Sequence, residues 1–217
     1  MKIDIKAIVF DVGGVLALPI DPIKVEKQRK ISGVHSIIAK KLGISLDQWF
    51  DSIDTTYAKS IEGKISKQKV LEIIAKNNKI SKKKLRKIIL KTYKSKFKQN
   101  KELFKKAFKL RKKGYKIVVL SDQWHFSQEA LMPKRLYRKF SEVIVSCEVG
   151  MRKPNLKIYN LLLDKLKLKP KQILFIDNQE WNIKPAKKIG IKTILYKNNK
   201  SLFKEFEKIG IWILRSF

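Results

Sequence analysis

The side chains that could carry chemistry stand where buried strands are predicted to end. Asp11, Ser121 and Asp177 each close an apolar run of the kind that forms parallel strands buried on both faces. Lys153 precedes Pro154, which can open a helix at its first turn. Open α/β sheets bind ligands at the carboxyl ends of their strands, so these groups can share one site. A carboxylate can attack phosphorus, and serine and lysine can hold phosphate oxygens.

The segments that follow two of these strands supply further candidates. After Asp11, the pair Gly13-Gly14 lets the backbone turn sharply and approach a ligand closely. After Ser121, an acid and a histidine leave the same strand end. We therefore expect a substrate to bind among the following residues: Gly14, Ser121, Asp122, His125 and Lys153.

This ordered set resembles the haloacid dehalogenase-like hydrolase superfamily. Its four motifs carry a nucleophilic Asp, a Ser or Thr, a Lys and acidic residues, which match in order Asp11, Ser121, Lys153 and Asp177. The phrases FDVGGVLALP, VSCEVGMRKPNLKIYNLLLDKL and FIDNQEWNIKPAKKIGIKTIL are similar to the branch that contains the phosphatase domain of soluble epoxide hydrolases and the glucose-1-phosphate phosphatases. The resemblance covers residues 1–20 and roughly 97–210.

The resemblance implies a Mg²⁺-dependent phosphatase that forms an aspartyl-phosphate on Asp11. It assigns the catalytic roles to Asp11, Ser121 and Lys153. It assigns the metal site to Asp11, the Gly13 carbonyl, Asp177 and Asn178. These are oxygen ligands, the kind that Mg²⁺ prefers.

Three positions depart from the pattern of the superfamily. Gly13 stands where most of its phosphatases have a second Asp, Asp122 where Asn is usual, and Asn178 where a second acid is common. Gly13 removes the general acid and base, which contributes roughly 10²–10⁴ in rate. His125, Asp122 and Glu180 are the candidate substitutes. Good leaving groups, such as anomeric phosphates, need this group less.

The composition indicates a globular protein with a strongly basic surface. The chain has 217 residues, a hydrophobic fraction of 44% and a formal net charge of +32. It contains no apolar run near the roughly 18 residues of a membrane span, and it enters a predicted strand almost at once, so we expect no membrane segment and no secretory signal. The single cysteine, Cys147, excludes a disulfide within the chain and favours a cytoplasmic location.

Half of the net charge lies in residues 79–113, where 17 lysines and arginines face one acid, Glu102. Such a stretch can attract a polyanion such as RNA. However, only seven of the 51 basic residues are arginines, and lysine is the poorer reader of bases. Nucleic-acid binding is therefore possible but not favoured, and a solvated, compositionally biased surface is the preferred interpretation.

The order of the predicted elements indicates an α/β fold. Strands are expected to end near Asp11, Asp122, Ser146, Asp177 and Tyr196, and helices are predicted over 100–113, 126–139, 155–168, 180–189 and 200–208. This alternation predicts a Rossmann-like parallel sheet with helices on both faces. Residues 18–98 show no convincing strand, and helices are predicted near 23–42, 45–60, 66–77 and 81–97. We expect residues 1–17 and 98–217 to form the core and residues 18–97 to form a helical cap that selects substrates.

The preferred function is hydrolysis of a small phosphorylated metabolite. A metal-free dehalogenase that uses the same Asp11 is less favoured, because such enzymes lack an acid at the position of Asp177. A weakly active protein that binds a polyanion through residues 79–113 is the alternative from another class.

Overall fold

The computed structural model describes residues 4–20 and 33–212. Its strands are β1 (Ala7–Phe10), β2 (Ala17–Pro19), β3 (Phe97–Gln99), β4 (Lys116–Ser121), β5 (Glu142–Val145), β6 (Ile173–Asp177) and β7 (Lys192–Leu195). Its α-helices are α1 (Val34–Leu42), α2 (Leu46–Ile61), α3 (Lys67–Asn77), α4 (Lys82–Lys96), α5 (Lys101–Lys112), α6 (His125–Leu131), α7 (Ser146–Val149), α8 (Leu156–Leu166), α9 (Glu180–Lys188) and α10 (Asn199–Lys208).

Five parallel strands form the central sheet in the order β5-β4-β1-β6-β7. Strand β1 lies in the middle, and all four of its residues are buried because both of its faces are covered. Phe10 is in register with Val119 of β4 and with Ile176 of β6. The three strands therefore end at the same edge, which brings the residues that follow them together.

Helices cover both faces of this sheet, as the sequence predicts. On one face, α5 and α10 pack Leu103 and Phe206 against the strands. On the other face, α8 and α9 contribute Ile158, Leu162 and Ala186. The predicted α/β class with helices on both faces is confirmed, and right-handed crossovers between parallel strands require this kind of layering.

Helices α1–α4 surround an apolar cluster of their own, and we call residues 33–96 the helical unit. Trp49, Ile74 and Ile89 are fully buried in this cluster, which Trp124 and Phe126 at the start of α6 complete. Serine side chains at positions 45, 66 and 81 cap α2, α3 and α4, each accepting a backbone N–H. These three helices lie within one residue of their predicted bounds. Of the predicted helix 23–42, residues 23–32 lie outside the described residues.

Two sequence-based expectations are wrong in detail. The predicted helix 126–139 ends at Leu131 and is followed by a 3₁₀ helix at Lys134–Lys139. Pro133 explains the break, because proline disfavours a helical conformation in the residue before it, and Met132 has φ −134° and ψ 62°.

The second error concerns residues 17–19 and 97–99, where the sequence predicts no strand. Strands β2 and β3 pair antiparallel, with Ala17 opposite Gln99 and Pro19 opposite Phe97. The strands have three residues each, too few to show the alternation by which a strand is recognised in a sequence. None of the helices in the described part of the chain is both long and apolar enough to cross a membrane.

Candidate active site

The centre of the candidate site is a buried lysine between two carboxylates. The Lys153 Nζ lies 2.9 Å from Asp11 Oδ1 and 2.6 Å from Asp177 Oδ2. It also donates to the Leu120 carbonyl at 3.3 Å, in the strand that ends at Ser121. Lys153 is 2% exposed, Asp11 7% and Asp177 fully buried. The parallel edge of the sheet thus unites three groups that are up to 166 residues apart in the sequence.

The charges of this cluster stabilise one another in a place that water scarcely reaches. Burial alone favours neutral lysine, but Asp11 and Asp177 outweigh it and hold the pKa of Lys153 above its ordinary value. Burial raises the pKa of the Asp11 carboxyl, and the ammonium of Lys153 partly opposes this rise. The lysine therefore stays cationic at neutral pH, ready to bind an anion beside Asp11.

Asp177 is held by donors on both of its oxygens. Its Oδ1 accepts the backbone N–H of Gln179 at 2.8 Å, and its Oδ2 accepts the Asn182 amide at 3.0 Å as well as the lysine. Asn182 is held in turn by Tyr159, whose hydroxyl donates to the Asn182 carbonyl at 2.8 Å. In this arrangement Asp177 positions the lysine, and its role as a metal ligand stays a prediction.

Asp122 holds the chain next to the lysine through two contacts. Its Oδ1 accepts the backbone N–H of Lys153 at 3.0 Å, and its Oδ2 lies 3.7 Å from Arg152 Nε. Burial raises the pKa of Asp122, while Lys153 and Arg152 oppose the rise. A half-buried acid with a raised pKa is suited to donate a proton.

Gln123 is a site residue that the sequence analysis missed. Its Nε2 donates to Ser121 Oγ at 3.1 Å. A hydrogen bond from Ser121 is a smaller influence that opposes the rise in the pKa of Asp11. Gln123 thereby directs the serine hydroxyl towards the carboxylate. The Gln123 Oε1 atom is buried and has no hydrogen-bond partner in the described part of the chain. The only available signal was its position two residues after Ser121, which by itself predicts nothing about its contacts.

The two glycines that follow Asp11 differ in whether a side chain could replace their hydrogen atom. Gly14 has φ +81°, and a Cβ built there would lie 2.4 Å from the Asn178 Nδ2. This position therefore requires glycine, and Asn178 lies against the loop that follows Asp11. A Cβ built at Gly13 would meet nothing within 4 Å. The missing second carboxylate could therefore be accommodated.

His125 and Glu180 occupy positions with structural contacts. His125 is the first residue of α6. Its Nε2 contacts the Ile65 carbonyl at 2.8 Å, and its backbone N–H donates to Ser60 Oγ at 3.2 Å. Because a carbonyl only accepts, Nε2 must carry a proton, and the ring ties α6 to the helical unit. Glu180 has a side chain that is 66% exposed and lies 3.7 Å from Lys184. Of the three candidates for the missing acid, Asp122 is the one bound to Lys153, through the backbone N–H of that residue.

The donors present fit a hard, oxygen-seeking cation. Asp11, the Gly13 carbonyl and Asn178 lie on adjoining loops and offer only oxygen ligands, which suits Mg²⁺ better than metals that prefer sulfur or nitrogen. No three His, Cys, Asp or Glu side chains come together as a metal cluster within residues 4–20 and 33–212. The donor set therefore fits Mg²⁺ with less negative charge than a site of three carboxylates.

Comparison with known proteins places this arrangement in a family. A family model described as haloacid dehalogenase-like hydrolase matches residues 5–190. Bifunctional epoxide hydrolase 2 of Mus musculus is 40% identical over 105 residues, which are 46% of this chain and 19% of that protein. Glyceraldehyde 3-phosphate phosphatase of Methanothermobacter thermautotrophicus is 33% identical over 88 residues, 40% of this chain and 39% of the relative. The matched segment thus spans about a fifth of the first relative and two fifths of the second.

Solved structures share the fold. A HAD family enzyme from Bacteroides thetaiotaomicron, in complex with magnesium and inorganic phosphate, superposes with a TM-score of 0.71 at 23% identity, covering 92% of this chain and 99% of its own. A HAD phosphatase from Thermococcus onnurineus gives a TM-score of 0.61 at 18% identity, covering 97% and 100%.

Proposed function

We propose that this chain, which belongs to the haloacid dehalogenase-like hydrolase family, is a Mg²⁺-dependent phosphatase of small phosphorylated metabolites. The observation that carries the proposal is the position of Lys153, whose buried ammonium lies within hydrogen-bond distance of Asp11 at the edge where the strands end. An anion that reaches Asp11 is met there by a fixed positive charge. The relatives named as phosphatases and the neighbour solved with magnesium and phosphate support the same reaction.

In the proposed reaction, an Asp11 oxygen attacks phosphorus and forms a new O–P bond while the bond from phosphorus to the ester oxygen breaks. The departing oxygen takes a proton from an acid, for which Asp122 is the best-placed group. Water then attacks phosphorus and gives a proton to the ionised acid, while the bond between phosphorus and the Asp11 oxygen breaks. This step releases inorganic phosphate and regenerates both the carboxylate and the acid. Ser121 and Lys153 hold the phosphoryl oxygens during both steps.

Asp11, the Gly13 carbonyl, Asp177 and Asn178 are the residues proposed to hold Mg²⁺. When bound, Mg²⁺ would reduce the repulsion between the Asp11 carboxylate and the phosphate. The absence of a carboxylate at Gly13 predicts slow turnover of esters with poor leaving groups. We propose acyl, aryl and anomeric phosphates as better substrates than simple alkyl phosphates. The helical unit, as part of the predicted cap, is proposed to choose among them.

Hydrolysis of para-nitrophenyl phosphate tests this function. The expected result is phosphate release that requires Mg²⁺, stops in EDTA and returns when Mg²⁺ is restored. Asp4→Asn is a matched control, because Asp4 lies at the other end of the strand region and is 61% exposed. The control should keep full activity. Turnover that is unaffected by EDTA, or halide release from a 2-haloacid without phosphatase activity, would overturn the proposal in favour of the metal-free alternative.

A further inference from the structure

A basic groove lies on the side of the sheet covered by α5. One part is a cleft of about 330 Å³ whose rim carries Lys94, Lys98, Arg135 and Lys139 above a largely apolar floor. The adjoining part is a shallow depression of about 690 Å³ that is lined by Phe108, Arg111, Lys112, Arg138 and the same Lys139. No acidic side chain lines either part. The groove thus presents seven cations along one continuous surface.

The cations of the groove lack carboxylate partners among the residues that the structure describes. Arg111 donates to the Lys139 carbonyl, a neutral acceptor, at 2.6 Å. Cations just outside the groove are neutralised: Arg86 pairs with Glu129, and Lys134 lies 3.6 Å from Glu148. The groove is therefore a local excess of positive charge and not only a share of the overall excess.

The arginines of the chain are concentrated in this groove. The sequence has seven arginines, and three of them, Arg111, Arg135 and Arg138, line it. A compositional bias towards lysine does not explain this placement. The planar guanidinium group binds phosphate with two parallel hydrogen bonds, which an ammonium group cannot do.

We propose that this groove binds single-stranded RNA through its phosphate backbone. A cationic groove with aromatic rings suits a flexible polyanion whose bases can stack, and the partly buried rings of Phe97 and Phe108 line its two parts. A membrane surface fits less well, because the basic helical faces that lie in a membrane interface combine their charges with exposed apolar side chains that insert into the lipid. The exposed large apolar side chains of the described residues are Ile20, Phe50, Leu156, Trp181 and Trp212, and all lie outside the groove.

The basic residues of the groove differ from the basic stretch that the sequence indicated. The stretch 79–113 was the candidate in the sequence, but its residues spread over several surfaces. The groove combines only part of that stretch with Arg135, Arg138 and Lys139 from the 3₁₀ helix. The proposal is independent of the phosphatase activity, since none of these residues belongs to the candidate active site.

Fluorescence anisotropy with a labelled oligouridylate of about 15 nucleotides tests the proposal on the full chain. The double variant Arg135→Gln/Arg138→Gln removes two exposed cations of the groove, and Lys187→Gln/Lys188→Gln removes two exposed cations from the end of α9. At about 100 mM salt, the groove variant should bind about tenfold more weakly, and the control less than twofold. The dependence of log Kd on log salt should become shallower by about 1 to 1.4 in the groove variant, because each phosphate contact to a single strand contributes about 0.7.

Equal weakening by the two double variants would overturn the proposal, because net charge alone would then explain binding. Absence of binding to the oligouridylate would do the same. Anionic phosphatidylserine vesicles and a 15-nucleotide oligothymidylate provide the comparison ligands. Tighter binding of vesicles than of RNA, with the same sensitivity to the groove variant, would reassign the groove to membranes. Similar affinity for the two oligonucleotides would support recognition of the phosphate backbone.

Discussion

The buried lysine of the candidate active site and the cations of the basic groove carry the same charge in opposite surroundings. Lys153 is 2% exposed and lies between Asp11 and Asp177. The groove cations are exposed and have no carboxylate nearby in the described part of the chain. A buried charge without a partner is costly, so Lys153 and its two acids depend on one another. An exposed cation keeps its hydration and can be removed at little cost.

The two surroundings suit different functions. The buried cluster is fixed by hydrogen bonds from several elements, which suits a reaction that needs a defined geometry. The groove offers attraction over a distance but little fixed geometry, which suits binding along a flexible polyanion. Substitutions in the two regions should therefore have effects of different size, on different properties. Their effects should also depend differently on salt concentration.

The largest effect is expected from Asp11→Asn. An amide is a poor nucleophile of nearly the same shape, so phosphatase activity should fall by at least about 10⁴-fold while the fold persists. Steady-state hydrolysis and circular dichroism measure the two properties. An active Asp11→Asn protein, with deamidation excluded by mass spectrometry, would contradict the covalent mechanism.

The pH dependence of the wild-type rate provides a second test of Asp11. Its carboxyl must be ionised to attack phosphorus, and burial raises its pKa. The rate should therefore fall with decreasing pH at values above the ordinary Asp pKa of about 3.9. If kcat/KM does not fall as the pH is lowered to that value, the free enzyme contains no essential carboxyl group with a raised pKa.

Lys153→Met should produce the next largest effect, on stability as well as on activity. The substitution leaves two buried carboxylates without their cation, which should cost about 3–5 kcal/mol in the free energy of unfolding. Denaturant unfolding measures this change. Lys157→Met, at an exposed position of α8, is the control and should change stability by less than about 0.5 kcal/mol. Equal stability of the two variants would mean that the carboxylates do not need the lysine.

Gly13→Asp is expected to accelerate the reaction of poor leaving groups. A Cβ at this position would meet nothing within 4 Å, and a positioned acid contributes about 10²–10⁴ in rate. The plot of log rate against leaving-group pKa should therefore become flatter in the variant. A wild-type plot that is already flat, with chemistry rate-limiting, would show that another group protonates the leaving oxygen. Asp122→Asn would then identify or exclude Asp122 as that group.

The smallest effect is expected for the stability of Arg135→Gln/Arg138→Gln. Exposed cations without carboxylate partners contribute little to folding, so the free energy of unfolding should change by no more than about 0.5 kcal/mol. Thermal unfolding at low and high salt measures it. A large destabilisation would mean that these arginines are part of the folded core and not a free binding surface.

The sequence was sufficient to predict the parallel sheet and the edge at which polar residues gather. The apolar runs before Asp11, Ser121 and Asp177 specify buried strands, and parallel strands align their carboxyl ends. Family membership and the fold class are confirmed. The assignment of individual metal and substrate roles to these residues stays a prediction.

The contacts within the site could not be predicted, because they depend on side-chain geometry across long sequence distances. Nothing in the sequence indicates that the Lys153 ammonium lies between two particular carboxylates, or that the Gln123 amide binds Ser121. His125 was expected near the substrate from its distance to Ser121. The structure directs its ring to Ile65, because the helical unit packs over the start of α6.

The short pair β2–β3 determines how the helical unit is joined to the core. The helical unit leaves and re-enters the core through neighbouring hydrogen-bonded strands, with Pro19 opposite Phe97 and the Ile20 N–H bound to the Lys96 carbonyl at 2.9 Å. A two-residue turn could join these strands as an ordinary hairpin. We therefore expect that the segment between these strands can change in length without shifting the register of the central sheet. Trp124 and Phe126, which are buried under the present helices, would then need a new cover, as would the partly buried Ala130 and Leu131 of α6.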